Sequence, residues 1–491
     1  MQGHLSLLLV IVPLIAAPVA AILPRGRWSW ALALMVAAIC AILAGVQLWA
    51  VVHDGVISYE LGGWAPPWGI EYRIDAVNAM VAMIVAGIAA ITLPYALLSA
   101  EKEIPEHQLP LFYSAFLLCF AGLLGITQTG DIFNLFVFLE ISSLSSYALI
   151  SLGQKRQALT SAYQYLIMGT LGATFFLIGV GLIYSQTGTL NMMDLALRLP
   201  EVSGLKTVHT GFAFIMIGFA LKLALFPLHL WLPNAYTYAP TVITVFLAAT
   251  ATKVALYVIL RVLFSVFPLD FVSATPTGDL FLLSGMAGVI SASIYAIYQV
   301  DVKRLLAYSS VAQIGYMALG IGFASSLGVT ATIIHLFNHA LMKGALFMAV
   351  GAIIYRIGSC HMDNIQGLGR QMPWTFGAIV IGGLSLIGVP GTAGFISKWY
   401  LVLAAMEQQA WIVVAVILIG SLLAVVYIGK IIEVLYFRAA TETHLAVKEA
   451  PMLLLAPTWV LVIANIYFGL NTELTVGIAQ RAVQVLGVTP G

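Results

Sequence analysis

The stretch Lys222-Leu-Ala-Leu-Phe-Pro227 places a lysine and a proline inside an apolar run, 208–230. Proline removes a backbone hydrogen-bond donor and clashes with the preceding turn, so a helix is expected to break here. A second apolar run, 374–402, contains Gly388-Val-Pro390-Gly-Thr-Ala-Gly394 and is predicted to break in the same way. Broken helices occur at membrane depth where they line a polar cavity. The two breaks therefore predict a membrane protein with an internal polar path.

The overall composition indicates the same class of protein. Of the 491 residues, 61% are hydrophobic and 8% are charged, whereas a soluble globular chain is about 45–50% apolar and about 25% charged. The net charge of +1 gives no reason to expect a nucleic-acid partner. The cysteines form no disulfide framework or CxxC motif, and no nucleotide, haem or iron–sulfur motif is present. We therefore expect a lipid-embedded chain with no metal and no cofactor.

Apolar runs of roughly 20 residues, the length that crosses a bilayer, predict an all-α polytopic protein with about fourteen membrane helices. The first run lacks a basic segment before it and is interpreted as a span rather than a signal peptide. The runs lie near 4–23, 29–50, 75–99, 110–128, 132–152, 161–185, 208–230, 240–266, 281–299, 305–323, 327–355, 374–402, 411–437 and 451–470.

The two broken runs indicate an internal repeat, because paired broken helices in corresponding halves are typical of inverted-repeat transporters. Spans four to eight and nine to thirteen would form the halves, with one broken span in each. The expected parts are three N-terminal helices (1–109), a first five-helix repeat (110–266), a second five-helix repeat (279–437), and a last helix with its tail (438–491).

The basic residues predict the orientation, because cytoplasmic loops carry an excess of lysine and arginine. Loops after odd-numbered spans hold eleven of the 21 basic residues, and the opposite side holds five. Both termini are therefore expected outside the cytoplasm. The other five basic residues lie inside predicted spans: Lys222, Lys253, Lys343, Lys398 and Lys430.

A charge at the bilayer centre costs about 2.5–3.5 kcal/mol on insertion scales, so these lysines are expected to face polar partners. Glu140 lies among apolar residues of the fifth span, and its expected partner is Lys222. The alternative is an ion pair that only fixes helix packing. Lys253 lies too deep in its span to snorkel to the interface. Lys398 follows the second break and could form a terminal site.

His335, His339 and Lys343 step by four residues, so they share one face of a helix. Histidine titrates near neutral pH and passes protons through either ring nitrogen. The face is therefore predicted to relay protons. Two histidines at this spacing could also hold zinc, but no Glu follows the first and no third ligand is evident. Hydrogen-bonded core histidines are the other alternative.

Lys430 and three further ionisable residues lie near predicted span ends. Lys430 and Glu433 are i, i+3 neighbours that can pair, either as an accessory of the path or as a structural pair. Asp75 and Asp131 lie at the ends of predicted spans, where a solvated or capping carboxylate is expected.

Three segments carry a family resemblance: Gly130-Asp131-Ile-Phe-Asn134-Leu-Phe-Val-Phe-Leu-Glu140, Lys222-Leu-Ala-Leu-Phe-Pro-Leu-His-Leu-Trp-Leu-Pro233 and Asp301-Val-Lys-Arg-Leu-Leu-Ala-Tyr-Ser-Ser310. Together they resemble the antiporter-like subunits of respiratory complex I, membrane-bound hydrogenases and Mrp-type cation/proton antiporters. The segment around Glu140 and the stretch Gly188-Thr-Leu-Asn-Met-Met-Asp194 are most similar to the D-type subunit of the Mrp antiporters. The chain departs from many relatives at Asn234 and Tyr236, where they carry Asp and often His.

This resemblance implies inverted five-helix repeats, outward termini, the pair Glu140–Lys222, a central Lys253 and an exit at Lys398. The chain is accordingly predicted to be a proton-translocating subunit of a multisubunit sodium/proton antiporter in the cell membrane, and not an enzyme. Protons would enter from the cytoplasm, load Lys253, pass His335 and His339, and leave by Lys398. An ion-pumping subunit of a redox complex is the first alternative. A scaffold that moves no ions is the second, and the intramembrane lysines argue against it.

Overall fold

The structure, a computed structural model, describes residues 2–440 and 442–488, most of which are helical. Position 1 of the predicted N-terminal part, and positions 441 and 489–491 of the C-terminal part, lie outside the described residues. Two short antiparallel strands, β1 (Ile57–Glu60) and β2 (Glu71–Ile74), form a hairpin. The helices are α1 (Gln2–Ile22), α2 (Gly26–Asp54), α3 (Ala76–Glu103), α4 (Leu109–Gln128), α5 (Ile132–Ser151), α6 (Gln157–Thr187), α7 (Met192–Val202), α8 (Lys206–Leu223), α9 (Trp231–Tyr238), α10 (Thr241–Arg261), α11 (Leu269–Ser273), α12 (Thr277–Ile297), α13 (Val302–Gly322), α14 (Ser326–Ile357), α15 (Pro373–Ile387), α16 (Ala393–Glu407), α17 (Trp411–Ile432), α18 (Glu442–Leu445), α19 (Met452–Leu470) and α20 (Glu473–Val485).

Twelve helices in the described part of the chain are long and apolar enough to cross a membrane, which confirms a polytopic membrane protein. They are α1 to α6, α10, α12 to α14, α17 and α19; α10 and α17 each continue through a π-helical turn, Val262–Val266 and Glu433–Phe437. Their bounds follow the apolar runs closely. The runs 305–323 and 327–355, for example, form α13 and α14, with only residues 323–325 between them.

The chain is broken within both runs in which a break was predicted. α8 ends at Leu223, where Ala224 takes a left-handed conformation with φ 60°, and helix resumes only in α9. α15 ends before Gly388, whose φ of 91° favours glycine, and α16 begins at Ala393. Each break leaves helix-end carbonyl groups without an intrahelical partner. These carbonyls are therefore available to side chains inside the bundle.

Three helices form the buried centre of the bundle: α10, α13 and α14. In the most apolar part of α10 and α13, 94% of the residues are buried, against 33% for α2 and α17. The outer helices keep one exposed apolar face, such as Met35, Ile39 and Ile42 on α2. Polar side chains on the central helices therefore face protein and not lipid.

The β-hairpin, α7 and α20 were not predicted from the sequence. The hairpin contacts the α4–α5 link, because the N–H of Gly130 donates to the carbonyl of Glu71 at 2.8 Å. The side chain of Glu71 in turn accepts a hydrogen bond from Asn191, just before α7, at 3.0 Å. The hairpin and α7 thus lie together at one end of the bundle, where these contacts connect the α2–α3, α4–α5 and α6–α7 links.

Asp75 and Asp131 cap helices, as their positions in the sequence indicated. Asp75 accepts a hydrogen bond from the backbone N–H of Val77 at 2.9 Å, and Asp131 accepts one from Asn134 at 2.7 Å. Asp75 also forms a salt bridge with Arg261 of α10 at 2.7 Å, and the two side chains are 4% and 11% exposed. This pair holds the central helix α10 against α3.

Replacing Asp75 by alanine is expected to destabilise the protein by about 3–5 kcal/mol, because the Arg261 charge stays buried without its partner. Asp194→Ala is the matched control, since its pair with Arg198 is more exposed and is worth at most about 1 kcal/mol. Thermal unfolding of the purified protein in detergent measures both effects. Equal shifts in the two variants would show that Arg261 does not depend on Asp75.

Candidate functional site

The predicted path residues lie in the buried interior of the bundle. Five of them come from four different helices: α8, α10, α14 and α16. Their side chains, together with that of Lys343, are almost fully shielded: Lys253, His339 and Lys343 are 0% exposed, His335 is 3%, Lys398 is 6% and Lys222 is 8%. Glu140 on α5 is half-buried. The hydrogen-bond partners of each side chain then decide what the site can do.

Lys222 does not form the predicted direct pair with Glu140. Its Nζ donates to Ser143 Oγ at 2.6 Å and to the hydroxyl of Tyr147 at 3.3 Å, and no described carboxylate forms a salt bridge with it. Glu140 is near enough for its charge to act on Lys222, while its Oε1 is buried without a hydrogen-bond partner. A cavity of about 40 Å³ beside Ser142 and Lys222 is large enough for water. The two charges are therefore neighbours without direct contact.

Lys253 lies in the middle of α10 and has two hydrogen-bond acceptors. Its Nζ donates to the carbonyl of Ala248 and, at 3.3 Å, to Thr252 Oγ1. An ammonium group has three N–H donors, whereas a neutral amine has two. The two acceptors thus suit the amine form as well as the ammonium form. His335, His339 and Lys343 all lie within electrostatic range of Lys253.

His335, His339 and Lys343 follow one another along α14 as predicted. The two imidazole rings are nearly parallel, with centroids 6.0 Å apart. His335 Nδ1 shares a hydrogen bond with Ser397 Oγ at 2.7 Å, but His335 Nε2 and both nitrogens of His339 are buried with no hydrogen-bond partner among the described residues. Buried polar atoms normally have partners. This row of free ring nitrogens can therefore accept or pass protons, directly or through water.

Lys343 lies at the other end of the same face, and its Nζ donates to the carbonyl of Leu306 at 2.8 Å and to Ser309 Oγ at 2.5 Å. Both partners belong to α13. Lys343 therefore joins the histidine face of α14 to the neighbouring central helix.

Lys398 has three acceptors, one more than Lys253. Its Nζ donates to the carbonyls of Leu386 and Ile387, at 3.1 and 2.8 Å, and to Ser421 Oγ at 3.1 Å. The two carbonyls are those freed by the break after α15, where the end of the helix carries partial negative charge. The broken helix thus supplies acceptors for all three N–H groups of an ammonium ion.

Lys430 and Glu433 do not pair with each other. Lys430 Nζ donates to the carbonyls of Ile297 and Gln299, at 2.9 and 3.0 Å, where α12 ends. Glu433 instead pairs with Arg438 at 2.9 Å. The i, i+3 spacing allowed a pair, but each side chain has a closer partner. These contacts favour a structural role for each residue, but not the structural pair that the spacing suggested.

Lys430→Met is expected to destabilise the protein by about 1 kcal/mol, because it removes a cation from the C-terminal end of α12. Thermal unfolding in detergent would measure the loss. Lys448→Met, on the segment before α19, is a suitable control for the loss of one positive charge. A Lys430 variant as stable as that control would argue against this capping role.

The neutral partners of the charged residues were not predicted. They are hydroxyl-bearing side chains from the neighbouring helices: Ser143, Tyr147, Ser309, Ser397 and Ser421. Serine is common in membrane helices and often bonds to the backbone of its own helix. The only sequence signal is local, since Ser143 and Tyr147 follow Glu140 at helical spacing on α5.

Comparisons with known proteins identify relatives of this chain. The family described as NADH:quinone oxidoreductase/Mrp antiporter, TM, matches residues 129–424. The NADH-quinone oxidoreductase subunit N of Desulforudis audaxviator is 40% identical over 488 residues, which cover 96% of this chain and 97% of that protein. The D-type subunit of the Na(+)/H(+) antiporter of Alkalihalophilus pseudofirmus is 33% identical and covers 76% of this chain and 74% of its own length.

A solved structure is similar over almost the whole chain. It comes from the membrane-bound sulfane sulfur reductase, an archaeal respiratory membrane complex, and has a TM-score of 0.90 at 31% identity. The match covers 99% of this chain and 98% of that one. The family match spans more than half of the chain, and the full-length similarities extend it to both ends. The chain therefore belongs to the NADH:quinone oxidoreductase/Mrp antiporter transmembrane family.

Proposed function

We propose that the chain is the proton-translocating membrane subunit of a multisubunit monovalent cation (Na⁺)/proton antiporter of the Mrp type. The observation that carries this proposal is the row of lysines and histidines with unpartnered ring nitrogens inside the bundle. Side chains that gain and lose protons at membrane depth are a costly feature in a protein that moves no ions. The similarity to the D-type subunit of a Na(+)/H(+) antiporter supports the choice of cation.

In the proposed path, protons enter a cytoplasmic half-channel, load Lys253, pass His339 and His335, and leave by Lys398. The electrostatic neighbours of each group support this order: Lys253 acts on both histidines, and Lys398 acts on His335. Glu140 and Lys222 would open and close as a pair, and so change the field at Lys253. In such a cycle, the arrangement without a salt bridge between them would be the open form.

We further propose fourteen spans, made of the twelve continuous helices and the two broken pairs, α8–α9 and α15–α16. Spans four to eight and nine to thirteen would be inverted repeats. Matching backbone contacts support this. The N–H of Ile132 donates to the carbonyl of Leu190 at 2.9 Å in the first half, and that of Val302 donates to the carbonyl of Cys360 at 3.0 Å in the second.

The ends of the helices also correspond between the two halves. α6 and α14 both end at a left-handed glycine, Gly188 and Gly358. α10 and α17 both end in a π-helical turn. In the proposed inverted arrangement, the matching links lie on opposite sides of the membrane. The excess of basic residues after odd-numbered spans then orients the chain in the cell membrane with both termini outside the cytoplasm.

A redox-driven ion pump is the second candidate. It is favoured by the 40% identity to a protein named NADH-quinone oxidoreductase subunit N. In that case electron transfer in partner subunits would drive the same proton path. In both cases the partners are other subunits of the same complex, and the chain itself catalyses no reaction. A scaffold that moves no ions has no use for a buried proton path.

Glu140→Gln is expected to reduce proton-coupled transport at least about ten-fold in vesicles that contain the assembled complex, because it removes the charge that acts on Lys222. Transport is measured as the sodium-dependent collapse of an imposed pH gradient. Lys430→Met is the matched control, since its contacts are structural, and is expected to keep transport. Unchanged transport in Glu140→Gln would exclude the assigned role of this carboxylate.

Purification of the native complex decides between the two candidates. An antiporter is expected to copurify with membrane subunits alone and to exchange Na⁺ for protons in vesicles without an electron donor. Copurification of flavin or iron–sulfur subunits, with proton pumping only after an electron donor is added, would favour the redox candidate. Lys253→Met and Lys398→Met should abolish proton movement in either case, and full activity of both variants would revive the scaffold alternative.

A further inference from the structure

We propose that Tyr316 on α13 is a positioning residue for Lys398, whose ammonium group is held against the face of the tyrosine ring. The proposal rests on the proposed function, because it adds a residue to the exit end of the same proton path. This side chain lies outside the path through α10, α14 and α16, and its position in the sequence gave no reason to single it out.

The ring of Tyr316 is the fourth group around the Lys398 ammonium. Nζ lies 4.7 Å from the ring centroid, inside the range of about 6 Å in which a cation is attracted to an aromatic face. The other three groups are the two α15 carbonyls and Ser421. No described carboxylate forms a salt bridge with Lys398. The ring therefore attracts positive charge at this site, as the carboxylate of Asp75 does for Arg261.

Close packing fixes the position of this ring. Tyr316 is 2% exposed, and its hydroxyl lies beside Ser421 of α17. Gly420 on α17 leaves the space that the hydroxyl needs, because a Cβ at that position would come within 2.4 Å of it. The ring also makes an edge contact with His335, with centroids 6.0 Å apart. Tyr316 thus contacts the last two groups of the proposed path.

The titratable groups that face Lys398 come from the helices around α16. They are Tyr316 on α13 and His335 on α14, while Tyr427 on α17 lies behind Tyr316. α15 has no titratable side chain, and Tyr467 of α19 is 54% exposed. Without the ring, no acid in the described residues takes its place beside the ammonium. The charged form of Lys398 is then less favoured, and its proton leaves at lower pH.

The test compares two Tyr316 variants with a control, in vesicles that contain the assembled complex. Tyr316→Leu removes the aromatic face, whereas Tyr316→Phe keeps the face and removes only the hydroxyl. Tyr113→Leu is the control, because Tyr113 is also buried, with an unpartnered hydroxyl. Proton-coupled transport is measured across a range of pH. The midpoint of the profile is expected to move about one pH unit lower in Tyr316→Leu and to stay near the wild-type value in the other two.

Two results would overturn the proposal: a Tyr316→Leu profile no different from that of Tyr113→Leu, or an equal shift in Tyr316→Phe, which would assign the effect to the hydroxyl. If Tyr316→Leu does not assemble, phenylalanine with increasing numbers of ring fluorines can be placed at position 316. Fluorination keeps the shape and weakens the aromatic face, so a graded shift supports the proposal and an absent shift overturns it.

Lys398→Met separates this proposal from the proposed function. Loss of transport in Lys398→Met, with no shift in Tyr316→Leu, overturns only the positioning role. Full transport in Lys398→Met overturns both, because there is then no lysine in the path for Tyr316 to hold.

Discussion

A lysine ammonium brings three N–H donors and a charge into the bundle. Exposing either the donors or the charge to the lipid hydrocarbon is energetically costly. The arrangement of the central helices follows from this constraint. The break after α15 frees two carbonyls, and Lys398 uses both of them. Ser421 from α17 completes the set, and the Tyr316 ring from α13 covers the ammonium. A discontinuous helix, which would be a defect in lipid, is thus accommodated by a side chain that bonds to its free carbonyls.

The buried lysines differ in how many acceptors they have, and in the proposed path this difference would favour proton movement from Lys253 towards Lys398. Lys253 has two acceptors, which also satisfy a neutral amine, while Lys398 has the three that an ammonium needs. Between them, His339 and His335 leave three ring nitrogens unpartnered. A proton would therefore move from a group that is satisfied without it, along groups that can accept it, to a group arranged to hold it.

Most of the long apolar helices were predictable, because a long apolar run rarely forms anything but a membrane helix and charges within such runs are rare. The runs that became α13 and α14 were separated correctly despite the short link. The hairpin, α7 and α20 were missed, because short polar elements have no comparable periodic signal. The i, i+3 spacing of Lys430 and Glu433 was misleading, because spacing shows only that two side chains can meet. In the structure, Lys430 bonds to the carbonyl of Ile297 and Glu433 pairs with Arg438.

The sequence by itself determined that the chain lies in a membrane, where its helices break, and which charged residues cannot face lipid. These properties depend on apolar length, on proline geometry and on the cost of burying a charge, and all three can be judged from the residues alone. The tertiary structure alone decided that Lys222 meets Ser143 and Tyr147 and not Glu140, and that Tyr316 covers Lys398. The Tyr316–Lys398 contact joins different helices. Glu140 and Ser143 lie one turn apart on α5, and only the position of Lys222 on α8 decides which of them it bonds to. Helix packing, and not spacing along the chain, sets those distances.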